Sequence, residues 1–584
     1  MHSRPQLAIP YRTLPEYVGH WARIAPDHRA FTFVDHPGPH SRGVHRTLTW
    51  KRLDTRVRAL AAWLAEEAGP GERVALLCPQ GMEYVTAFLA APAAGLVAVP
   101  LYPPGLRGHD DRLAAVLADA RPAVVVTTSP LLREVRAFCA DIPVRIVVAD
   151  EVPDATDGDR LPATPDETAI AYLQYTSGST RTPAGVEITH ANVVANARQA
   201  LGAYGADTRS VTLVGWLPLY HDMGLVLSVA APVVRGLLSV VMDPGAFLQS
   251  PVRWLRLLAA HPRALSAAPN FAYDYCAAAV TEAEKAHLRL DDVVALLNGS
   301  EPVRPGTVDR FHAAFAAQGL APETHCPSYG LAEATVFVSA ARPGQPLRRF
   351  ALDRAALAGG KALPARPDDP GAVLLTGCGT PAGQRIRIAD PVSHALLSEG
   401  EIGEIWVQGP NVGRGYRNQE EQSRRVFGAR FAGAGEAPGD WLRTGDLGTV
   451  LEGQLVVTGR LKDLIVVDGR NHYPQDLEAT AQDAHPAVRR DRLAAFGVPG
   501  VPGDSGERVV VVAEHTRATN LAEIDVPDLG RAVRAAVSSR HGLRLADVVL
   551  VPPGAVPRTS SGKVSRALTR ARYLAGTYAA ENAR

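Results

Sequence analysis

Short, uninterrupted apolar runs recur along the first 150 residues: RVALLC (73–78), LVAVP (96–100), RPAVVVTT (121–128) and VRIVVAD (144–150). None of them alternates with polar residues. A strand that is apolar on both sides must be covered on both sides, which is the habit of parallel sheets flanked by helices. The sequence between the runs agrees. Leu53, Val57, Leu60 and Leu64 fall on one helical face, and Thr49 stands where an N-cap would stand. The chain therefore reads as α/β, and its 584 residues predict three or four packing units at about 150 residues each.

A polar, turn-rich stretch, VPDATDGDRLPATPDE (152–167), separates this region from a second alternating one that runs to about 340. Residues 346–374 are rich in Ala, Gly and Pro and read as irregular. QRIRIAD (384–390), EIWVQG (404–409) and QLVVTGR (454–460) follow as strands of a small β subdomain. A last α/β unit begins near Leu461, with strands at VVVVAEH (509–515) and VVLVPP (548–553).

Lys and Arg total 61 against 60 Asp and Glu, a net charge of +1. That balance provides no field for nucleic acid. The five cysteines are scattered and form no C-x-x-C pair, so they read as buried thiols. AFLAAPAAGLVAVPLYPP (87–104) is broken by Pro and Gly, and GLVLSVAAPVVRGLLSVV (224–241) carries Arg235, so neither reads as a membrane span. No signal-peptide core opens the chain. A cytoplasmic enzyme or binding protein, monomeric, is the expectation.

The stretch YTSGSTRTPAG (175–185) hangs between two strand-like runs, AIAYLQY (169–175) and GVEIT (185–189), with Thr189 placed to cap a helix from His190. Gly178 and Gly185 permit close backbone approach, and consecutive N–H groups with hydroxyls can cradle an anion. By itself the loop is a weak signal, because Ser/Thr-rich turns are common. It has no lysine, and the G-x-x-x-x-G-K-[ST] pattern is absent from the chain.

Four further stretches follow the loop in order: SYGLAE (328–333), WLRTGDLG (441–448), GRLKDLIVVDGRNHYPQDLE (459–478) and PRTSSGKVSR (557–566). The five together resemble the core motifs of the adenylate-forming superfamily, which includes acyl-CoA synthetases, luciferases and the adenylation domains of peptide synthetases. The resemblance runs over nearly the whole chain. Its details are similar to fatty acyl-AMP ligases at VPLYPP (99–104), LPLYHDMGL (217–225), APNFAYD (268–274), SYGLAEAT (328–335) and GRNHYPQDLE (469–478). General acyl-CoA synthetases tend to carry a lysine where Ala184 stands, and the ligase group lacks it. That group also carries an insertion ahead of the small β subdomain, here about 348–374, thought to bias it away from coenzyme A.

The resemblance implies a large N-terminal domain (1–461) of two α/β subdomains and a small β subdomain, and a smaller mobile α/β C-terminal domain (462–584). It implies that a fatty acid attacks the α-phosphate of ATP, with Mg²⁺, expelling pyrophosphate. Thr176, Ser177, Gly178, Ser179, Thr180 and Arg181 would clasp the phosphates, and Glu333 with Thr176 would hold Mg²⁺. Gly299, Ser300 and Glu301 would line the adenine, as would Ser328, Gly330 and Ala332 around a stacking Tyr329. Asp446 would accept the ribose hydroxyls, and Arg460 would approach the ribose or phosphates. His221 would gate or orient the carboxylate. Met223, Phe271 and Tyr273 would line the acyl tunnel. Lys462 would be the hinge.

Lys563 would reach the α-phosphate from the C-terminal domain. An ammonium about 4 Å from a developing unit charge is worth about 4 kcal/mol at an effective dielectric of 20, or several hundredfold in rate. No room remains after PRTSSGKVSR for a carrier domain, so the acceptor is expected to be the phosphopantetheine thiol of a separate acyl carrier protein of a polyketide or peptide synthase. Three alternatives stay open: an acyl-CoA synthetase, an amino-acid adenylation domain, and a non-catalytic adenylate-binding protein.

Overall fold

The computed structural model describes residues 12–39, 41–106, 109–154, 165–176, 183–206, 210–433, 438–500, 507–516, 524–559 and 562–578. The apolar runs of the first region form a seven-stranded sheet. Arg73–Leu76 lies parallel to Val97–Pro100 and Val124–Thr127, and Val124–Thr127 parallel to Arg145–Val148. Ile170–Tyr175 joins beside Val97–Pro100, and Gly185–Thr189 returns antiparallel to it.

A nine-stranded sheet stands beside it, with a parallel centre of His325–Gly330, Ala295–Asn298, Ala264–Ala268, Thr212–Gly215, Leu238–Met242 and Arg29–Asp35. One hydrophobic core draws on both sheets. The helix Met82–Ala93 belongs to it, with only Glu83 less than fully buried. That explains the length of the apolar segment around it without any membrane. Among the described residues no helix is long and apolar enough to cross one.

The local signals hold. Thr49 caps Trp50–Glu67 by accepting from the Arg52 N–H, and Leu53, Val57, Leu60 and Leu64 are all buried. Thr189 caps His190–Ala203 in a reciprocal box with Asn192. All five cysteines are buried and free. The expected β subdomain is a four-stranded antiparallel sheet of Arg385–Ala389, Gly403–Gln408, Leu442–Leu451 and Gln454–Arg460. Beyond it, residues from Ile465 onward build a separate core around Val488–Pro499, Glu507–His515 and Leu545–Val551, covered by Pro474–Asp483 and Val526–His541.

The stretch read as irregular is not. Arg349–Asp353 and Ala372–Thr376 pair antiparallel, with a short helix, Arg354–Ala358, capped by Asp353. Alanine-rich sequence hid the strands because their apolar face is supplied by few side chains. Phe350, Leu352 and Val373 pack with Leu447, Val456 and Tyr473. Arg354 then reaches Asp476 at 3.4 Å and His541 Nδ1 at 3.4 Å. The segment therefore touches both the β subdomain and the C-terminal unit.

Candidate active site

The strands that flank the YTSGSTRTPAG stretch meet at its base. Tyr175 pairs with Gly185 across the two strands, and a Cβ at Gly185 would come within 2.8 Å of the Tyr175 ring. The Thr176 N–H donates to the Ala184 carbonyl at 3.3 Å, and the Arg112 guanidinium donates to the Thr176 carbonyl. Ser177, Gly178, Ser179, Thr180 and Arg181 lie outside the described residues. Below the stem a cleft is lined by Tyr102, Arg112, Val116, Tyr175, Tyr220 and His221. Arg112 was not anticipated. Burial lowers its pKa, so it brings a poorly hydrated cation to the base of a loop that has no lysine.

SYGLAE lies where the strand His325–Gly330 ends. The Tyr329 hydroxyl donates to Asp446 Oδ2 at 2.8 Å, and Arg460 Nε stands 3.2 Å from Asp446 Oδ1. Asp446 and Arg460 face each other across one hairpin, and Tyr329, 117 positions before Asp446, joins them. Burial raises the pKa of Asp446, with Arg460 opposing. The Asp446 charge raises that of Arg460. Ser328 accepts from the Tyr204 hydroxyl at 3.2 Å.

Gly330 is required by contact rather than by dihedral angle. A Cβ there would lie 1.6 Å from the Val336 carbonyl oxygen. Gly330→Ala must push backbone apart, and overpacking of this kind costs about 1–3 kcal/mol. The expected outcome is a lower unfolding midpoint together with loss of adenylate formation, read by calorimetry and pyrophosphate release.

Glu333 sits in the turn Ala332–Ala334. Thr335 follows at φ 67°, ψ −61°, a sparsely populated region for a β-branched residue. Its hydroxyl donates to the Asn411 carbonyl at 2.7 Å, and the Asn411 amide donates to Ala334 and Phe337 carbonyls at 3.0 and 3.1 Å. Strain of this kind persists where surroundings over-determine it. The Gly413 N–H bonds the Glu333 carbonyl at 2.8 Å, and the Tyr416 hydroxyl donates to Glu333 Oε1 at 2.7 Å. Burial raises the Glu333 pKa. The segment 411–416 thus aims Glu333, and no motif announced it.

On the opposite wall a Cβ at Gly299 would meet the Ser328 carbonyl oxygen at 2.8 Å, which locks NGSEP against SYG. Ser300 takes φ 69°, with its hydroxyl 3.6 Å from Met223 Sδ. Glu301 Oε1 accepts the Phe271 N–H at 2.7 Å, and burial raises its pKa. His221 Nδ1 is 2.7 Å from Asp222 Oδ1.

Tyr273 is a correction. It is fully buried, donates to the Leu297 carbonyl at 2.7 Å, and packs edge-on to Phe311 at 5.0 Å and Trp254 at 5.7 Å. On the helix Asn270–Ala279 positions 272, 273 and 276 face the core, so Tyr273 is packing. Phe271, half-buried, lies edge-on to Trp216 at 6.3 Å.

The C-terminal unit closes over this wall. Lys563 experiences the charges of Arg460, Asp222, Glu301 and Asp446, all from the larger part of the chain, and burial lowers its pKa. Its carbonyl accepts from Thr559 N–H at 2.8 Å and its N–H donates to Thr559 Oγ1 at 3.2 Å. Arg304 pairs with Asp491 across the same boundary. Lys462 lies in the single turn Leu461–Asp463, next to Asp463, which pairs with Arg566 at 3.2 Å. Among the described residues no group of three His, Cys, Asp or Glu side chains gathers to hold a metal.

Residues 18–417 match the AMP-binding enzyme family, and residues 462–583 match a family described as the AMP domain of Disco-interacting protein 2-like proteins. The long-chain-fatty-acid–AMP ligase FadD26 of Mycobacterium marinum is 42% identical over 575 residues, covering 96% of this chain and 97% of that protein. The fatty acyl-adenylate ligases of E. coli and L. pneumophila provide a solved structure with TM-score 0.85 and 31% identity, covering 98% of each chain. A crystal structure of the L. pneumophila fatty acyl-adenylate ligase with acyl adenylate and pyrophosphate has TM-score 0.75 and 31% identity, again covering 98% of each chain. The motifs, the converged site and these likenesses agree: the chain belongs to the AMP-binding enzymes and, within them, to the fatty acyl-AMP ligases.

Proposed function

We propose that the chain activates a fatty acid with ATP and passes the acyl group to the phosphopantetheine thiol of a separate acyl carrier protein, of the kind attached to polyketide or peptide synthases. In the first step a fatty carboxylate oxygen bonds the α-phosphorus, the bond to the bridging oxygen breaks, and pyrophosphate leaves. In the second the thiol sulfur bonds the acyl carbon, AMP leaves with the electron pair, and the thiol proton is released. The observation that carries the reading is Lys563. It is brought from the C-terminal unit to within the field of Asp446, Asp222 and Glu301, where a cation offsets charge developing at a transferring phosphoryl group.

In this reading Asp446 accepts the ribose hydroxyls, Tyr329 stacks on adenine, and Arg460 serves the phosphates. Lys462 is the hinge between a unit of residues 1–461 and one of 462–584. Mg²⁺ would be held by the carboxylate of Glu333, which also takes the Tyr416 hydroxyl at Oε1, and by the Thr176 hydroxyl. A metal bound through few protein oxygens, with phosphate and water completing its shell, is the usual Mg²⁺ arrangement. It would neutralise negative charge on the phosphates.

The contact of 349–376 with Asp476 and His541 supports a preference for a carrier over coenzyme A, because it ties the C-terminal unit to the insertion. Mass spectrometry of a fatty-acid panel with ATP, with either a phosphopantetheinylated carrier or coenzyme A, tests the reading. Acyl-adenylate and acyl-carrier are expected. Abundant acyl-CoA would overturn the choice of acceptor, and no adenylate with any acid would overturn the whole.

A further inference from the structure

We propose that Arg304 and Asp491 are positioning residues for adenylation: their ion pair holds the C-terminal unit in the docked arrangement that delivers Lys563, and acyl transfer does not need it. The proposal rests on the reading of Lys563 as the adenylation cation. Among the described residues two ion pairs cross from the chain before Leu461 to the chain beyond Asp463, Arg304–Asp491 and Arg354–Asp476. Arg354 starts from the 349–376 segment and stands 3.4 Å from Asp476. Arg304 starts from the active-site wall. It follows closely on Glu301, one of the charges that act on Lys563.

Both partners are built on their own side of the boundary. The Arg304 N–H donates to Asn270 Oδ1 at 3.1 Å, and buried Asn270 donates in turn to Thr307 Oγ1 at 3.1 Å. The root of the Arg304 side chain is thus fixed to the larger part. Asp491 takes φ 57°, a left-handed position that Asp and Asn tolerate better than other side chains. It falls in the register shift between Val488 and Leu493, where a strand kinks away from its ladder. Its N–H donates to Gln482 Oε1 at 3.2 Å, and its carbonyl accepts from the Arg492 guanidinium at 2.7 Å. The backbone of Asp491 is therefore satisfied inside the C-terminal unit, while its carboxylate meets Arg304.

The two side chains are 31% and 23% exposed, so water and salt screen this pair less than a surface one. Undocking separates the charges. The charges acting most on Lys563 are those of Arg460, Asp222, Glu301 and Asp446, and Asp491 is not one of them. Its influence on adenylation runs through docking rather than through the ammonium itself.

Asp491→Asn keeps the left-handed turn and the side-chain volume and removes the charge. The kcat of fatty-acid-dependent pyrophosphate release should fall about tenfold, the scale of one charged hydrogen bond, with the KM for ATP and for fatty acid little changed. Transfer from a pre-made acyl-adenylate to a carrier thiol should be unchanged or faster. The substitution should be silent in a Lys563→Ala background, where docking has no ammonium to deliver. Arg304→Gln should match Asp491→Asn, and Arg304→Lys, which keeps the cation, should retain most of the native rate. All five native cysteines are buried, so dyes on cysteines placed at exposed Asp141 and Arg544 read the docked fraction by energy transfer, and Asp491→Asn should lower it. An unchanged kcat or docked fraction, an equal fall in adenylation and transfer, an equal loss in the Lys563→Ala background, or Arg304→Lys as poor as Arg304→Gln overturns the assignment, while the functional reading stands if the native enzyme makes adenylate. A native enzyme that makes none overturns both.

Discussion

Lys563→Ala is expected to lower acyl-adenylate formation several hundredfold while leaving transfer from a pre-made acyl-adenylate to a carrier thiol within about twofold. The magnitude follows from an ammonium about 4 Å from a developing charge at an effective dielectric of 20. The asymmetry follows from placement. Lys563 is held on a short turn by its reciprocal bonds with Thr559, and the charges it meets, those of Arg460, Asp222, Glu301 and Asp446, belong to the rest of the chain. In the proposed reading it serves the nucleotide only while the C-terminal unit is docked. Burial lowers its pKa, so adenylation should also fail at a lower alkaline pH than an exposed lysine would impose. Separate assays of pyrophosphate release and of carrier acylation check both statements, and an equal fall in the two steps would sink the two-position assignment.

How much of this was legible beforehand differs by residue, for physical reasons. Strands buried on both faces declare themselves by composition, so Arg73–Leu76 and Val124–Thr127 fell where expected. Caps are local, and Thr49 and Thr189 were readable for that reason. Motif order singles out Glu333, Asp446, Arg460 and Lys563, but not what surrounds them. Tyr416 and Asn411 lie about 80 residues beyond Glu333 in sequence and carry no unusual composition; only the fold brings them to it. Arg112 reaches Thr176 from the helix Asp110–Ala120, which no sequence motif marks. Tyr273 failed in the other direction. An aromatic in a motif looked like tunnel lining, but helical phase turned it into the core while its neighbour Phe271 stayed half-buried. The strands of 349–376 were missed because pairing, not side-chain pattern, defines them.

The second large effect concerns Glu333. Glu333→Gln should lower adenylation by about 10²–10³-fold, the scale seen when one group facing transition-state charge is removed, and yet should not weaken the fold. Gln keeps the Oε1 acceptor that takes the Tyr416 hydroxyl at 2.7 Å, so shape and hydrogen bonding survive. What disappears is a carboxylate whose pKa burial has raised, with Asp446 and Asp222 adding to the effect. An acid with a raised folded pKa binds its proton more tightly when folded. The fold therefore loses stability as pH climbs from the ordinary carboxylate range through that raised value. At pH 8 the native chain bears this cost and the Gln variant does not, so its unfolding midpoint without metal should rise, by about 2 °C. A divalent cation must displace the same proton. Apparent Mg²⁺ affinity should thus weaken as pH falls in the native enzyme and lose that dependence in the variant. A purely structural Glu333 predicts the reverse on stability, a lower midpoint at every pH. Calorimetry without metal, paired with Mg²⁺ titrations of pyrophosphate release at pH 6 and pH 8, separates the two: a midpoint that falls with Gln, or a Mg²⁺ dependence untouched by it, removes Glu333 from the metal site.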